Sequence, residues 1–364
     1  MSPKGFVVGD RILQHVDSHP DWCASYGQLG LYRFVGASAA GKLHLRDFRP
    51  RDDAFAIRSA GPWIAAAVSD GVGSLKLSRY GSTYAVEALC EHMLREVSKF
   101  DSVMENEDIK REKQDVVKKL QTGLSFPDNK ESNSIKEIFS FFPAFESASV
   151  TAPSNETNRG CGTMIWHRYL SETKTENVEK VVNKNISINL NECIRNSFYN
   201  TRQGIEQFAQ MWKVSLRDFH CTLLGILINT KTGMVSAGQI GDGLIASFHP
   251  EKGASYLLNV PDPGEPGEVY VLTQKDWEKY FVVTHLSSEE SEGIVTFYLM
   301  SDGVSEDCTH PPPSNIFHHW AEDINRELRK EEPLSQIASR LLQWLSTYEV
   351  SGSWDDRTLV VIMK

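Results

Sequence analysis

The chain has 364 residues, and 38 Lys and Arg against 48 Asp and Glu give a formal charge of −10, an acid excess that excludes the basic footprint of a nucleic-acid binder. Hydrophobic residues at 40% and charged residues at 24% are the proportions of a globular chain with its own core, not of a disordered or fibrous one. The longest apolar runs, 63–68 and 358–363, are six residues each, against the about 20 a membrane span requires; with no apolar leader run at the start, a cytoplasmic protein with no membrane contact is expected.

Taken in chain order, 32–38 reads as a strand entering a turn, and 53–57 as a second strand. The stretch 63–68 is apolar throughout, so it is expected to be a central strand buried on both faces. It stops at Ser69-Asp70-Gly71-Val72-Gly73. Ser78 is the expected N-cap of a helix whose stripe is Val86, Leu89, Cys90, Met93, Leu94 and Val97. From 99 to 185 the composition turns charged and then rich in Ser, Thr, Asn and Pro. Such tracts bury too little to offset their ordering entropy, so 99–185 is expected to be an insertion, partly helical and partly flexible. Limited proteolysis should therefore cut first inside that window; a first cut elsewhere would refute the boundary.

A long helix is expected over 187–213, with Leu190, Ile194, Phe198, Ile205, Phe208 and Trp212 on its apolar face. A strand at 221–228 turns at Thr232-Gly233 into a hairpin partner at 234–240. Gly241-Asp242-Gly243 leads into another strand, and 250–268 reads as a surface loop. A strand at 294–300 ends at Ser301-Asp302-Gly303-Val304. Two helices near 314–329 and 334–348, split by Pro333, precede Asp355-Asp356-Arg357 and a final strand at 358–363. Trp22, Trp63, Trp212, Trp320 and Trp344 fall in or near periodic apolar segments and are expected in the core. The six cysteines stand apart with no C-x-x-C pair, as reduced, mostly buried thiols would. Helices interspersed with hairpin-linked strands indicate a mixed α and β protein with antiparallel pairing, not a doubly wound parallel sheet.

One pattern recurs. Asp70-Gly71 and Asp302-Gly303 each follow an apolar strand, in the same S-D-G-V tetrapeptide. Two rigid strands can aim two carboxylates at one point, and the glycine lets backbone approach without a Cβ. Hard cations such as Mg²⁺ and Mn²⁺ take carboxylates, carbonyls and waters as ligands. Any single Asp-Gly is more often a turn; the set carries the weight, since Asp52-Asp53, Asp218 and Asp355-Asp356 also lie beside strand ends.

The order R-D-D-A-F at Arg51, A-A-V-S-D-G-V-G around Asp70, D-F-H-C-T-L-L-G from Asp218, G-Q-I-G-D-G around Asp242, L-M-S-D-G-V around Asp302 and D-D-R-T-L-V-V-I from Asp355 resembles the metal-dependent protein phosphatases. These are the PPM or type 2C serine/threonine phosphatases, and the likeness is greatest to their bacterial branch. It implies an α+β fold in a single domain over 1–364: two packed antiparallel β-sheets flanked by helices, an αββα sandwich. It further implies two Mn²⁺ or Mg²⁺ ions, with a third as a candidate. Carried over, Asp70 bridges two ions and the Gly71 carbonyl binds one, Asp302 and Asp355 hold the other, Asp53 binds directly or through water, and Asp218 is the third-metal candidate. The implied reaction is hydrolysis of a phosphomonoester in a phosphorylated protein by a metal-activated water, with Asp70 and Asp53 as the catalytic carboxylates and the protein acting as a monomer.

Departures from the family pattern leave alternatives open. Phe48 stands where many members carry a phosphate-binding Arg, so Arg46, Arg49 and Arg51 are the substitutes. Val72 stands where the eukaryotic branch has His, which makes His44 a candidate acid. Asp242 is expected to organise its turn, and Asp356 is not expected to be a ligand. A catalytically inactive binding or regulatory module, and a hydrolase of small phosphoesters on the same scaffold, remain the competing readings.

Overall fold

The computed structural model describes residues 20–99, 189–258, 261, 264, 268–309 and 315–364, with the backbone of two short paired strands, β1 (Phe6–Val8) and β2 (Arg11–Leu13). Beyond these come β3 (Trp22–Leu29), β4 (Tyr32–Ala39), helix α1 (Lys42–Arg46), β5 (Ala54–Ala60), β6 (Trp63–Ser69) and helix α2 (78–99). Helix α3 (Leu190–Trp212) leads to β7 (Leu223–Asn229), β8 (Val235–Ile240), β9 (Leu244–His249), β10 (Gly253–Tyr256) and β11 (Val282–Leu286). The chain ends with β12 (Thr296–Met300), helices α4 (Asp302–Thr309), α5 (Asn315–Leu328) and α6 (Leu334–Thr347), and β13 (Arg357–Met363). The insertion expected over 99–185 lies, apart from its first residue, outside the described residues.

Six strands pair in the order β10-β9-β12-β13-β4-β3 and five in the order β11-β8-β7-β6-β5. Every pairing within both sheets is antiparallel. Side chains alternate across a strand with period two, and the two faces of each sheet meet different partners. Ile64, Ala66, Val68, Leu224, Ile226 and Ile228 point at Phe297, Leu299, Val360 and Ile362 of the other sheet, forming the layer between the sheets. Their neighbours Trp63, Ala65, Ala67 and Leu227 meet Leu89 and Met93 of α2 and Phe198 and Ile205 of α3. On the far side Tyr298, Met300, Leu359 and Val361 meet Phe317 and Ala321 of α5 and Leu341 of α6. The architecture is therefore helix, sheet, sheet, helix. The continuous apolar runs at 63–68 and 358–363 are explained by burial on both faces.

Helix α3 begins where the Asn189 side chain accepts from Glu192 N–H, and it ends where Lys213 turns left-handed at φ 55°. Several expectations are corrected. Trp22 is 58% exposed because β3 is an edge strand whose outer face meets solvent. Ser78 is the first helical residue, not the cap; its hydroxyl donates back to the Leu75 carbonyl at 2.9 Å. The loop expected over 250–268 contains β10, which pairs with β9. The expected strand end at Ser301 leads straight into α4 at Asp302, and β3, α1 and β11 were missed.

Candidate active site

Asp53 precedes β5 and Asp70 follows β6. The hairpin register sets Ala54 opposite Ser69, so the two acids flank the same end of one strand pair. In the second sheet Asp302 follows β12 and Asp355 precedes β13, where Met300 stands opposite Leu359. The sheets are joined at this end by hydroxyls. Ser301 and Thr358 both donate to Asp53 Oδ2, at 2.7 and 2.6 Å, and Ser38 in turn reaches the Thr358 hydroxyl at 2.6 Å.

The other oxygen of Asp53, Oδ1, is buried and has no hydrogen-bond donor among the described residues. The Asp53 and Asp70 carboxyls stand within reach of a shared hydrogen bond. Burial, then the charge of Asp356, push the Asp53 pKa up to about 7, while the two hydroxyls act the other way. Asp70 is raised well above the ordinary carboxylate value by burial and then by Asp302, Asp53 and Asp355. Asp302 is likewise raised well above it by burial, then by Asp242 and Asp355. Asp355 keeps solvent contact, yet the protein around it and Asp356 still raise its pKa. Burial is the first reason each of the four carboxyls resists ionisation; neighbouring acids add to it, Asp356 at Asp53 and Asp355, and the other acids of the cluster at Asp70 and Asp302.

Backbone geometry at Asp70 is tightly held. Its N–H donates to the Thr222 hydroxyl at 2.9 Å, and its carbonyl accepts from Thr222 N–H at 2.8 Å. Gly71 bridges Cys221. A Cβ at Gly71 would lie 2.8 Å from the Ser78 carbonyl carbon and 3.0 Å from the Asp52 carbonyl oxygen, so only glycine fits. Asp218 lies on the same bridging segment, but its carboxylate caps the one-turn helix Leu216–Phe219, accepting from Ser215 N–H at 3.2 Å.

The basic candidates separate sharply. Arg51 is fully buried, with Nη1 3.0 Å from the Ser38 carbonyl and 3.1 Å from Cys23 Sγ, so no guanidinium surface remains for a substrate. Arg46 is exposed and folds onto its neighbour Asp47 at 2.8 Å. Arg49 is half-buried, donates to the Gly73 carbonyl, and lies 3.2 Å from Asp52 Oδ2, just past the Asp70 turn. Phe48, beside it, is 96% exposed with φ 52°. His44 is buried, with Nδ1 2.8 Å from Asp356 Oδ1 and Nε2 3.5 Å from Asp52 Oδ2. The ring N–H at Nδ1 points off the line to the carboxylate, making the contact a bent ion pair. Both ring nitrogens therefore face carboxylates. Burial lowers the His44 pKa, but Asp356 and Asp52 outweigh it and the net shift is upward.

Asp52 turns away from the acid cluster toward His44, Arg49 and Arg79. Burial, opposed by those cations, lifts it to about 6. Asp242, assigned only to its turn from sequence, also repels Asp302; burial pushes its own pKa up to about 6. Asp302 and Asp355 open onto a groove of about 450 Å³ that Glu306, Val350 and Trp354 also line.

The donor set suits a hard divalent cation in kind: all oxygen, crowded, and with an orphaned lone pair at Asp53 Oδ1. Among the described residues no three His, Cys, Asp or Glu stand at ion-holding spacing as the side chains lie. These acids would therefore have to turn their side chains to hold an ion.

Among solved structures, RsbX in complex with magnesium is 11% identical over 94% of this chain and 99% of that one, with a TM-score of 0.44. A bacterial serine phosphatase is 12% identical over 92% and 98%, with a TM-score of 0.44. The serine/threonine phosphatase Stp1 from Staphylococcus aureus is 12% identical over 93% and 97%, also at 0.44. At that level they add nothing to the family match. No curated protein sequence matches the chain. The sequence profile of protein phosphatase 2C matches residues 40–141 and 160–352, most of the chain, including Asp53, Asp70, Asp218 and Asp302 and stopping just short of Asp355. The chain belongs to the protein phosphatase 2C family.

Proposed function

We propose that the chain is a divalent-cation-dependent phosphatase of phosphoserine and phosphothreonine in proteins. The observation that carries this reading is the buried Oδ1 of Asp53, which has no donor among the described residues, in a carboxyl beside Asp70 and within a set of four acids whose pKa values are all raised, first by burial. Asp53, Asp70, Asp302 and Asp355, with the Gly71 carbonyl, would hold two Mn²⁺ or Mg²⁺ ions, and Asp218 is the candidate for a third. When bound, such ions lower the pKa of a water and neutralise charge on a phosphoryl group.

The chain's own residues supply position and polarity. Thr222 fixes the Asp70 backbone from both sides. Arg49, held by Gly73 and Asp52, is the arginine we assign to phosphate, because it alone of the three candidates is near the Asp70 turn with part of its guanidinium accessible. Among the described residues no helix is long and apolar enough to cross a membrane, and Cys90, Cys221 and Cys308 are buried thiols; action on phosphoproteins in the cytoplasm is part of the proposal.

The test is phosphate release from p-nitrophenyl phosphate and from phosphoserine and phosphothreonine peptides, with and without Mn²⁺. Mn²⁺-stimulated turnover of the peptides is expected. No stimulated turnover of either would support the inactive-module reading, and a higher kcat/KM for the small ester would favour the small-phosphoester reading.

A further inference from the structure

Asp356 is the most heavily engaged carboxylate in the described structure, yet it belongs to no ligand set. It is 1% exposed. Its Oδ1 accepts from Gly41 N–H at 2.7 Å, and its Oδ2 accepts from Asp52 N–H at 2.6 Å and Asp53 N–H at 3.3 Å. His44 closes on Oδ1 from the other side at 2.8 Å. Asp356 N–H in turn donates to Asp355 Oδ1 at 2.8 Å.

These contacts tie residues 52–53 and the start of α1 to the segment that carries Asp355. Residues 52–53 hang from Oδ2, Gly41 and His44 of α1 hang from Oδ1, and Asp355 is bonded to the same residue's N–H. At Gly303 a Cβ would collide with the Asp356 carbonyl, and at Gly41 with the Asp355 backbone. The segments after β12 and before α1 are thus pressed directly onto 355–356. A carboxylate is the one side chain of this size with two acceptor oxygens; an amide offers one, and two donors where N–H groups already point.

We propose that Asp356, seated against His44, is a positioning residue: it sets the separation of Asp53 and Asp355 and thereby the affinity of the site for divalent cations. The proposal rests on the phosphatase reading for its metal. Outer partners that orient ligands typically contribute about 10–100-fold in metal affinity. Because Asp356 acts through Asp53, its effect should vanish once Asp53 no longer ligates, whereas a general loss of packing would persist and add.

The experiment is Mn²⁺ binding by isothermal titration calorimetry on the full chain, with the melting temperature of the metal-free protein measured alongside. Asp356→Asn is expected to weaken the Mn²⁺ Kd by about 10–100-fold. Combined with Asp53→Asn, it should weaken binding no further than Asp53→Asn alone. Should Asp356→Asn fail to fold, His44→Gln carries the same test, with a smaller loss in the same direction and the same non-additivity. An unchanged Kd in the single variants, or losses that multiply in the double, would overturn the proposal. If the unaltered chain binds neither Mn²⁺ nor Mg²⁺, the phosphatase reading falls and this proposal with it; if it binds and the variants bind equally, only this proposal falls.

Discussion

Asp70→Asn is expected to make the metal-free protein more stable and the enzyme nearly inert. Asp70 lies in the field of Asp302, Asp53 and Asp355, and burial denies it the solvent that would offset the repulsion. Asn has the same shape and keeps the backbone bonds to Thr222, but it is neutral without having to take up a proton on folding. The melting temperature without metal should therefore rise. Turnover should fall beyond the about 10–100-fold that loss of a mere outer partner costs, and the rise in melting temperature on adding Mn²⁺ should shrink. Sites selected for function often carry strain that stability alone would remove. Two measurements decide it: thermal unfolding with and without Mn²⁺, and kcat on a phosphopeptide. Retained turnover would sink the assignment of Asp70, and a metal-free melting temperature that fell would show that its carboxylate is stabilised by something other than a cation.

The second large effect is the pH dependence of stability. Burial pushes Asp53 up to about 7 in the folded protein against 3.8 in the unfolded chain and Asp52 up to about 6, and Asp70 and Asp302 are raised well above the ordinary carboxylate value. A carboxyl raised on folding contributes stability that is full below its unfolded value and is lost as pH climbs through its folded value. His44 is also raised, so its contribution falls in the same direction. Asp356 is lowered: burial works against it, but His44 and the N–H groups of Gly41 and Asp52 prevail. Its share is lost only on acidification and does not oppose the trend at neutral pH. The metal-free protein should thus lose stability from about pH 4 to about pH 7, at about 1.4 kcal/mol per pH unit for each carboxyl that keeps its proton over that range. A bound cation replaces those protons. Saturating Mn²⁺ should flatten the slope and add about 2.7 kcal/mol per site at a hundredfold excess over Kd. Chemical denaturation across that range, with EDTA or with Mn²⁺, reads both. A metal-free slope of the opposite sign would contradict the crowding of the four carboxyls.

Much of the fold was legible because burial on two faces leaves a plain mark. A run such as 63–68 has no polar face to give to solvent, and 358–363 is the same; both are inner strands. The acids were legible for a similar reason, since an Asp held at the end of a rigid apolar strand is unusual twice over. What sequence withheld was set by register and by distant contacts. Nothing local marks Ser301 and Thr358 as donors to Asp53, 248 and 305 residues away. Arg51 and Arg49 are two residues apart and read alike, yet one is sealed against the Ser38 carbonyl and the other stands at the mouth of the Asp70 turn. Trp22 read as core because it lies near a periodic apolar segment, but it stands at the start of the edge strand β3 and is 58% exposed. Asp356 was passed over because a doublet of acids does not reveal which member points inward.

The place of β13 bears on how the protein is made. It is the last strand in chain order, yet it lies in the middle of its sheet, between β12 and β4. Until it has left the ribosome, β4 and β12 have no common partner, and the first-made strands wait with one edge unsatisfied. Exposed strand edges of that kind invite wrong pairing during synthesis. Asp355 and Asp356 arrive with the same strand, so a half-made chain carries Asp53 and Asp70 but cannot complete the acid cluster. One strand thus both closes the sheet and delivers Asp355 to the site, and a truncation before residue 355 would remove both together.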